Sequence, residues 1–391
     1  MLFRSLSAVL LATLLFACDD TPDGQAPLDG GDPIDVGAEP DAGPEPDDNT
    51  AELQAALESL AASEVTDYAL LGIGLTVQLA DGRVFTAAAG ASDPDGTPYR
   101  VDATEQVIGS VTKLYTAVMT LQLVEEGTLT LDDTLDAWFD LPGADVITVR
   151  MLLKHQSGFG DYLDALSEAE RGQPWTPEAL TQRAIEGGAY AAPGGPMAWY
   201  SNTNFLLLAR IIEAETGMSW SSNIAERIAE PLDLRHTYYA GDEAAARNLV
   251  GGWMRTPDGW VDSLSFLDPS IGWGAGAVVT TNAELTRFAE ALFAGELFSD
   301  PATLTAMMTF DTEVAPETLH GFPPTQIGLC MLSTPIDGLR LEGHTGGITG
   351  YGAGALRDAE TGALIVVTAN TEGVVPPLTA LKIAQYLHSR R

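Results

Sequence analysis

Apolar runs of strand character stand near both ends of the chain, and a long stretch of helical character separates them. Residues 70–90, LLGIGLTVQLADGRVFTAAAG, read as two strands joined by the turn dipeptide Asp81-Gly82. Residues 339–347 (LRLEGHTGG), 350–358 (GYGAGALRD) and 362–370 (GALIVVTAN) read as three more short strands divided by turn residues. A helical pattern, AELQAALESLAAS (51–63), precedes the first pair, and another, PPLTALKIAQYLHSRR (376–391), follows the last strand. A sheet must bury at least one apolar face against another layer. The fold expected is therefore α+β: one antiparallel sheet built from both termini, flanked by helices, with a mainly helical region from about Ser110 to Glu230 inserted. No internal repeat is visible.

The 391 residues are 45% hydrophobic and 19% charged, enough to bury a sizeable core. The net charge of −36 argues against nucleic acid as a partner, because phosphate neutralisation needs Lys and Arg. Residues 1–18, MLFRSLSAVLLATLLFAC, place Arg4 before an apolar run from Leu6 to Ala17, too short for a membrane span and suited to a secretory signal. Its end, LFAC, resembles the lipobox of bacterial lipoproteins, which implies lipidation of Cys18, removal of the residues before it and export to a membrane-anchored position on the periplasmic or cell-surface side. An ordinary signal peptide is the alternative. Residues 19–50 hold eleven Asp or Glu and no Lys or Arg, with Pro and Gly throughout. Such a segment cannot offset its ordering entropy and reads as a disordered acidic linker, with the folded domain at 51–391. Cys330, in QIGLCMLST, is read as a small core residue.

Only three lysines occur: Lys113, Lys154 and Lys382. The first stands in VIGSVTKLYTAVMTLQLVEEG (107–127), where Leu114, Ala117, Val118, Leu121 and Val124 recur at the spacing of an amphipathic helix and Gly127 ends it. Ser110 then lies in the first turn and Lys113 one turn further on the same face. A serine hydroxyl needs a base to become a nucleophile. A desolvated lysine can lose its charge and serve. Free N–H groups at a helix start can receive an oxyanion. Alone, Ser-x-x-Lys reads more simply as a helix cap.

Two further stretches change the balance. WYSNTN holds Tyr200, Ser201 and Asn202 just before the helix 203–217, for which Gly217 is the stop. EGHTGGITGY holds His344, Thr345 and Gly346 on a strand. Tyr200 can relay a proton, Asn202 can hold a substrate amide, and Thr345 with His344 can receive a carboxylate or join the proton network. Gly346 and Gly347 let a substrate approach the strand closely. Taken singly, the same residues read as a core tyrosine, a turn asparagine and a glycine-rich hairpin.

S-x-x-K, Y-x-N and H/K-T-G in this order resemble the three motifs of the penicillin-recognising serine enzymes; here they stand as SVTK (110–113), YSN (200–202) and HTG (344–346). The nearest resemblance is to the secreted serine D-alanyl-D-alanine carboxypeptidases of the class C β-lactamase group, and it covers nearly all of residues 55–391. LQLVEEGTLTLDD, ITVRMLLKHQSG and NAELTRFAEAL share it. It implies a β-lactamase/transpeptidase-like fold. It also implies Ser110 as acylated nucleophile, Lys113 as its activating partner and Tyr200 as proton shuttle. Asn202, His344, Thr345 and Gly346 would bind substrate, and the N–H groups of Ser110 and Gly347 would form the oxyanion hole. The substrate so implied is a peptidoglycan stem peptide ending in D-Ala-D-Ala, or another small acyl compound, with β-lactams as acylating ligands and no cofactor. His344 stands where most β-lactamases have lysine, which suits a peptidase or a broader hydrolase. A β-lactamase, a small-ester hydrolase and a D-amino-acid peptidase are the alternatives within enzymes; a β-lactam-binding sensor or a non-catalytic relative is the alternative outside them.

The remaining features carry less. His155, in LLKHQSGFGDY, is read as part of a structural turn. Thr112 stands two residues after Ser110, so the G-x-S-x-G elbow is absent. The histidines (155, 236, 320, 344, 388) show no H-x-x-x-H spacing, which argues against a zinc site. Trp273, in IGWGAG, is read as packing, though it is the best cleft candidate among the tryptophans.

Overall fold

The computed structural model describes residues 48–243, 247–318 and 323–391; the leader with Cys18, the linker as far as residue 47, and His320 lie outside the described residues. Among the described residues nine strands form the main sheet. In chain order they are β1 (Gly72–Gln78), β2 (Val84–Gly90), β3 (Met197–Ala198), β4 (Thr312–Val314), β5 (Gln326–Ile327), β6 (Leu332–Ile336), β7 (Leu339–Ile348), β8 (Tyr351–Asp358) and β9 (Leu364–Ala369). Their spatial order is β2-β1-β9-β8-β7-β6-β5-β4-β3. The first hairpin thus joins the last strand, with Leu75 opposite Val367 and Ile73 opposite Ala369. The sheet is antiparallel apart from its edge, where β3 runs parallel to β4. The expectation of one sheet from both termini holds. Its extension through β3–β6 was not legible, because those strands are short and β6 carries Pro335, which speaks against a strand.

Strand β9 is buried at every position, and its alternation sorts side chains onto the two faces. Ile365 and Val367 pack under the terminal helices Asp48–Asp67 and Pro376–Ser389, with Leu53, Leu57 and Ile383. Val366 faces the other way, into the large core of the inserted helices. The first helix starts at Asp48, ahead of the Ala51 expected; acidic residues are favourable at a helix start.

The stretch expected as an amphipathic helix over 107–127 divides in three. Gln106–Val107 pairs with the strand Val278–Thr280, Gly109–Val111 is a 3₁₀ turn, and the α-helix runs Thr112–Glu125. That helix is buried from Thr112 to Leu121 on all sides, so it is central and not amphipathic. Its buried threonines are all bonded: Thr112 Oγ1 accepts from Val278 N–H, and Thr116 and Thr120 donate to the carbonyls of Gly274 and Thr116.

Two glycines let the start of this helix rest on the sheet. A Cβ at Gly346 would lie 2.1 Å from the Ile108 carbonyl oxygen and 2.7 Å from Ser110 N. Gly109 has φ +52°, and a Cβ there would lie 2.8 Å from Gly347 N. The Ser110 turn is therefore seated on β7, beside the Gly347 amide.

Candidate active site

Ser110 stands in the 3₁₀ turn, partly exposed at the floor of a cleft. Lys113, one turn on, is fully buried. Its Nζ lies 3.1 Å from Ser110 Oγ, 2.6 Å from Asn202 Oδ1 and 2.8 Å from the Ala275 carbonyl oxygen. Asn202 Oδ1 and the carbonyl are obligate acceptors, and a neutral amine has two N–H groups for them. Its lone pair is then left for the serine proton. Burial brings the Lys113 pKa down to about 7, against the opposing pull of the Asp161 charge. The amine is thus poised between its two forms near neutral pH.

The second motif is held by a helix cap. Ser201 Oγ accepts from Thr203 N–H and donates to the Gly160 carbonyl, which fixes the start of the Asn202–Thr216 helix. Asn202 then projects between Lys113 and Asp161: its N–H and Nδ2 both donate to Asp161 Oδ2, at 2.9 and 2.8 Å. Those bonds orient the amide so that its oxygen faces Lys113. Asp161 was not found in the sequence, where an acid in a glycine-rich turn looks like any exposed loop acid. Tyr200 lies with its ring 4.9 Å from Lys113 Nζ. Burial raises its phenol above the ordinary range, offset in part by Ser110, so it stays protonated.

The third motif arrives on β7. His344 Nδ1 donates to the Thr345 carbonyl oxygen at 2.6 Å, and its Nε2 is buried without a partner among the described residues. Burial, and then the charge of Lys113, bring its pKa down to about 3, so the imidazole is neutral at physiological pH. It offers no fixed positive charge to a substrate carboxylate. The structure therefore brings together the residues of all three motifs around Ser110, while leaving the strand uncharged.

Two cavities open onto this site. One, of about 720 Å³, is lined by Tyr200, Thr345 and His344 and has an apolar wall including Leu332, Leu356 and Val375. The other, of about 400 Å³, is lined by Gly109, Ile271, Gly276 and Ile348. Both reach Ser110, Asn202, Arg171 and Gly347. Carboxylates outnumber cations in the larger cavity, Asp161, Asp164 and Glu317 against Arg171, while the smaller has one of each, Glu372 and Arg171.

The turn that supplies the Ala275 carbonyl begins at Trp273, whose φ of +36° is unusual for a non-glycine residue. Its ring packs on Trp220 and Tyr239, at centroid separations of 6.3 and 5.0 Å, which agrees with the packing role read from sequence.

Residues 53–388 match the Beta-lactamase family. Over 223 residues the chain is 29% identical to teichoic acid D-alanine hydrolase of Staphylococcus aureus, a stretch that covers 55% of this chain and 53% of that one. The chain thus spans about half the length of the curated relatives it matches. Among solved structures, D-amino acid amidase from Ochrobactrum anthropi SV3 superimposes with a TM-score of 0.77 at 26% identity, covering 87% of this chain and 100% of that one. D-stereospecific amidohydrolase from Streptomyces sp. gives 0.70 at 27%, covering 85% and 97%.

Proposed function

Because the chain belongs to the Beta-lactamase family and is a serine-type hydrolase, we propose that it cleaves D-aminoacyl amides or esters through an acyl-enzyme on Ser110. The observation that carries this is the buried Lys113 amine, 3.1 Å from Ser110 Oγ with a pKa near 7. In the proposed reaction neutral Lys113 takes the Ser110 proton as Oγ attacks the carbonyl carbon. The oxyanion forms against the N–H groups of Ser110 and Gly347. Tyr200 passes a proton to the leaving amine or alcohol, and water then attacks the ester along the reverse path. Asn202 holds both Lys113 and the substrate amide, and Thr345 and Gly346 line the strand beside which the substrate lies.

The D-aminoacyl class is supported by charge. A free α-ammonium group suits the larger cavity, whose lining is richer in carboxylate than in cation, and the relatives named above are a D-alanine hydrolase and a D-amino acid amidase. A D-alanyl-D-alanine carboxypeptidase acting on peptidoglycan peptides is the second reading. Neutral His344 speaks against it, and Arg171 speaks for it as the cation able to meet a terminal carboxylate.

The test compares D-phenylalanine amide, D-alanine methyl ester and an N-acylated peptide ending in D-Ala-D-Ala, with Ser110→Ala alongside. Faster turnover of the free-amine substrates supports the proposal; preference for the acylated peptide moves the assignment to the carboxypeptidase. Intact mass after benzylpenicillin reports on acylation of Ser110 by β-lactams, and no adduct in any time window removes them as ligands.

For the residues ahead of the domain we propose a leader ending at Cys18, lipidation there, and an acidic tether that holds the enzyme away from an exported membrane face. Cys18→Ser protein should then leave the membrane fraction; its retention would defeat that proposal.

A further inference from the structure

His155 is a buried titratable group that the chemistry above leaves unused. It is fully buried and has φ +53°, an uncommon conformation for a non-glycine residue. Its contacts converge on one neighbour. The His155 carbonyl oxygen accepts from Trp199 N–H at 2.7 Å. The ring Nδ1 accepts from Ser201 N–H at 3.1 Å and faces Asn204 Nδ2 at 2.9 Å. The residues on either side of Tyr200 therefore both donate their N–H groups to His155. The imidazole also stacks on the Tyr200 ring, with centroids 4.3 Å apart and planes 28° apart. The same Tyr200 ring has Lys113 Nζ 4.9 Å from its centroid.

We propose that His155 is a positioning residue that clamps Tyr200 for proton transfer, through one backbone bond, one ring bond and one stacked face. The proposal rests on the reading of Tyr200 as the proton relay. Imidazole is the side chain that meets these demands together. Phenylalanine supplies the face without the acceptor, and asparagine supplies an acceptor without the face. Because Ser201 N–H is a donor, Nδ1 carries the lone pair and the proton sits on Nε2. That Nε2 is buried without a partner among the described residues. An unmet buried donor is a cost that phenylalanine would avoid, so the Nδ1 bond is what the histidine adds. Burial and the nearby Lys113 disfavour a charged ring, and protonation at Nδ1 would remove the acceptor.

The test is a double-mutant cycle on full-length enzyme, with D-alanine methyl ester as substrate. Tyr200→Phe alone tests the relay: full turnover in that variant would overturn the reading of Tyr200, whatever His155 does. Given a relay, His155→Phe and His155→Asn should each lower kcat by about 100-fold, the scale of a misplaced catalytic group, with KM within about threefold. In the Tyr200→Phe background the same changes at His155 should cost less than about twofold, because the clamped group is gone. An undiminished penalty in that background, or kcat per folded site near that of the parent enzyme, overturns the clamp. Should neither variant fold, nitrogen-15 spectra of the unaltered enzyme decide. The clamp requires unprotonated Nδ1 and protonated Nε2 on His155 throughout pH 5–9; a protonated Nδ1 overturns it.

Discussion

Lys113 and Lys382 occupy two seams of the same fold and are tuned in opposite directions. Lys113 sits among neutral acceptors, with Asn202 standing between it and the carboxylate of Asp161. Lys382 joins the two terminal helices, and its Nζ lies 2.6 Å from Glu64 Oε1. Burial alone lowers both. At Lys382 the hydrogen bond and charge of Glu64 outweigh it, and the net shift is upward. At Lys113 burial wins and the pKa is about 7. Whether a carboxylate touches the amine directly separates a base from a structural cation.

The largest effect should come from removing the base. Ser110→Ala and Lys113→Met should each cost at least about 10³-fold in kcat on a D-aminoacyl ester, the scale seen when a nucleophile or its base is lost. Stability should move the other way in Lys113→Met. The unfolded chain keeps the ordinary lysine pKa of 10.5, the folded one about 7. Between those values the unfolded state binds more protons, so the native enzyme gains stability as pH rises from about 7 to 10.5. Lys113→Met lacks that dependence, so denaturant midpoints at pH 6 should favour the variant by roughly 2–5 kcal/mol, with the gap closing by pH 10. A less stable variant at pH 6 would mean that Lys113 is not held at a cost.

Asn202→Asp sharpens the same contrast by giving Lys113 the partner that Lys382 already has. The acid limb of kcat/KM should stand near pH 7 in the unaltered enzyme, since Lys113 must be neutral. In Asn202→Asp the new carboxylate would meet Nζ where Oδ1 now lies, at 2.6 Å. The limb should then rise above pH 9, and kcat/KM at pH 7 should fall about 100-fold and recover in alkali. Asn202→Ala should instead lose activity at every pH. Parallel profiles for the two variants would separate Asn202 from the tuning of Lys113.

The contrast also shows what a sequence can disclose. That Ser110, Lys113, Tyr200, Asn202 and His344 stand together was legible because each belongs to a short local motif, and the three motifs in this order imply one shared site. The joint sheet was legible because apolar runs of strand character at both ends need a common core. Asp161, the Ala275 carbonyl and the grip of His155 on residues 199–201 were not. Their roles depend on which loops meet in space, and a backbone carbonyl or a loop acid leaves no mark in the pattern. The neutrality of His344 was hidden for the same reason, because it follows from burial beside Lys113.

The smallest effect belongs to the other seam. Glu64 is 2% exposed and also accepts from Thr379 Oγ1, whereas the Lys382 side chain is 39% exposed. Water screens the pair from the lysine side, so it is worth less than a fully buried one. Lys382→Met should cost about 1 kcal/mol at pH 7, mostly by leaving the Glu64 charge unpaired, and should leave kcat alone because this seam lies behind the sheet. Glu64→Gln should cost less, since a neutral amide still bonds to Thr379. The pH signature is opposite to that of Lys113. A folded pKa above 10.5 gives stability that is complete below 10.5 and is lost as pH rises through the raised value. Urea midpoints from pH 9 to 12 should therefore fall more steeply for the unaltered enzyme than for Lys382→Met. Equal slopes would mean that Glu64 does not hold the proton on Lys382, and direct carboxylate contact would no longer explain why the two lysines differ.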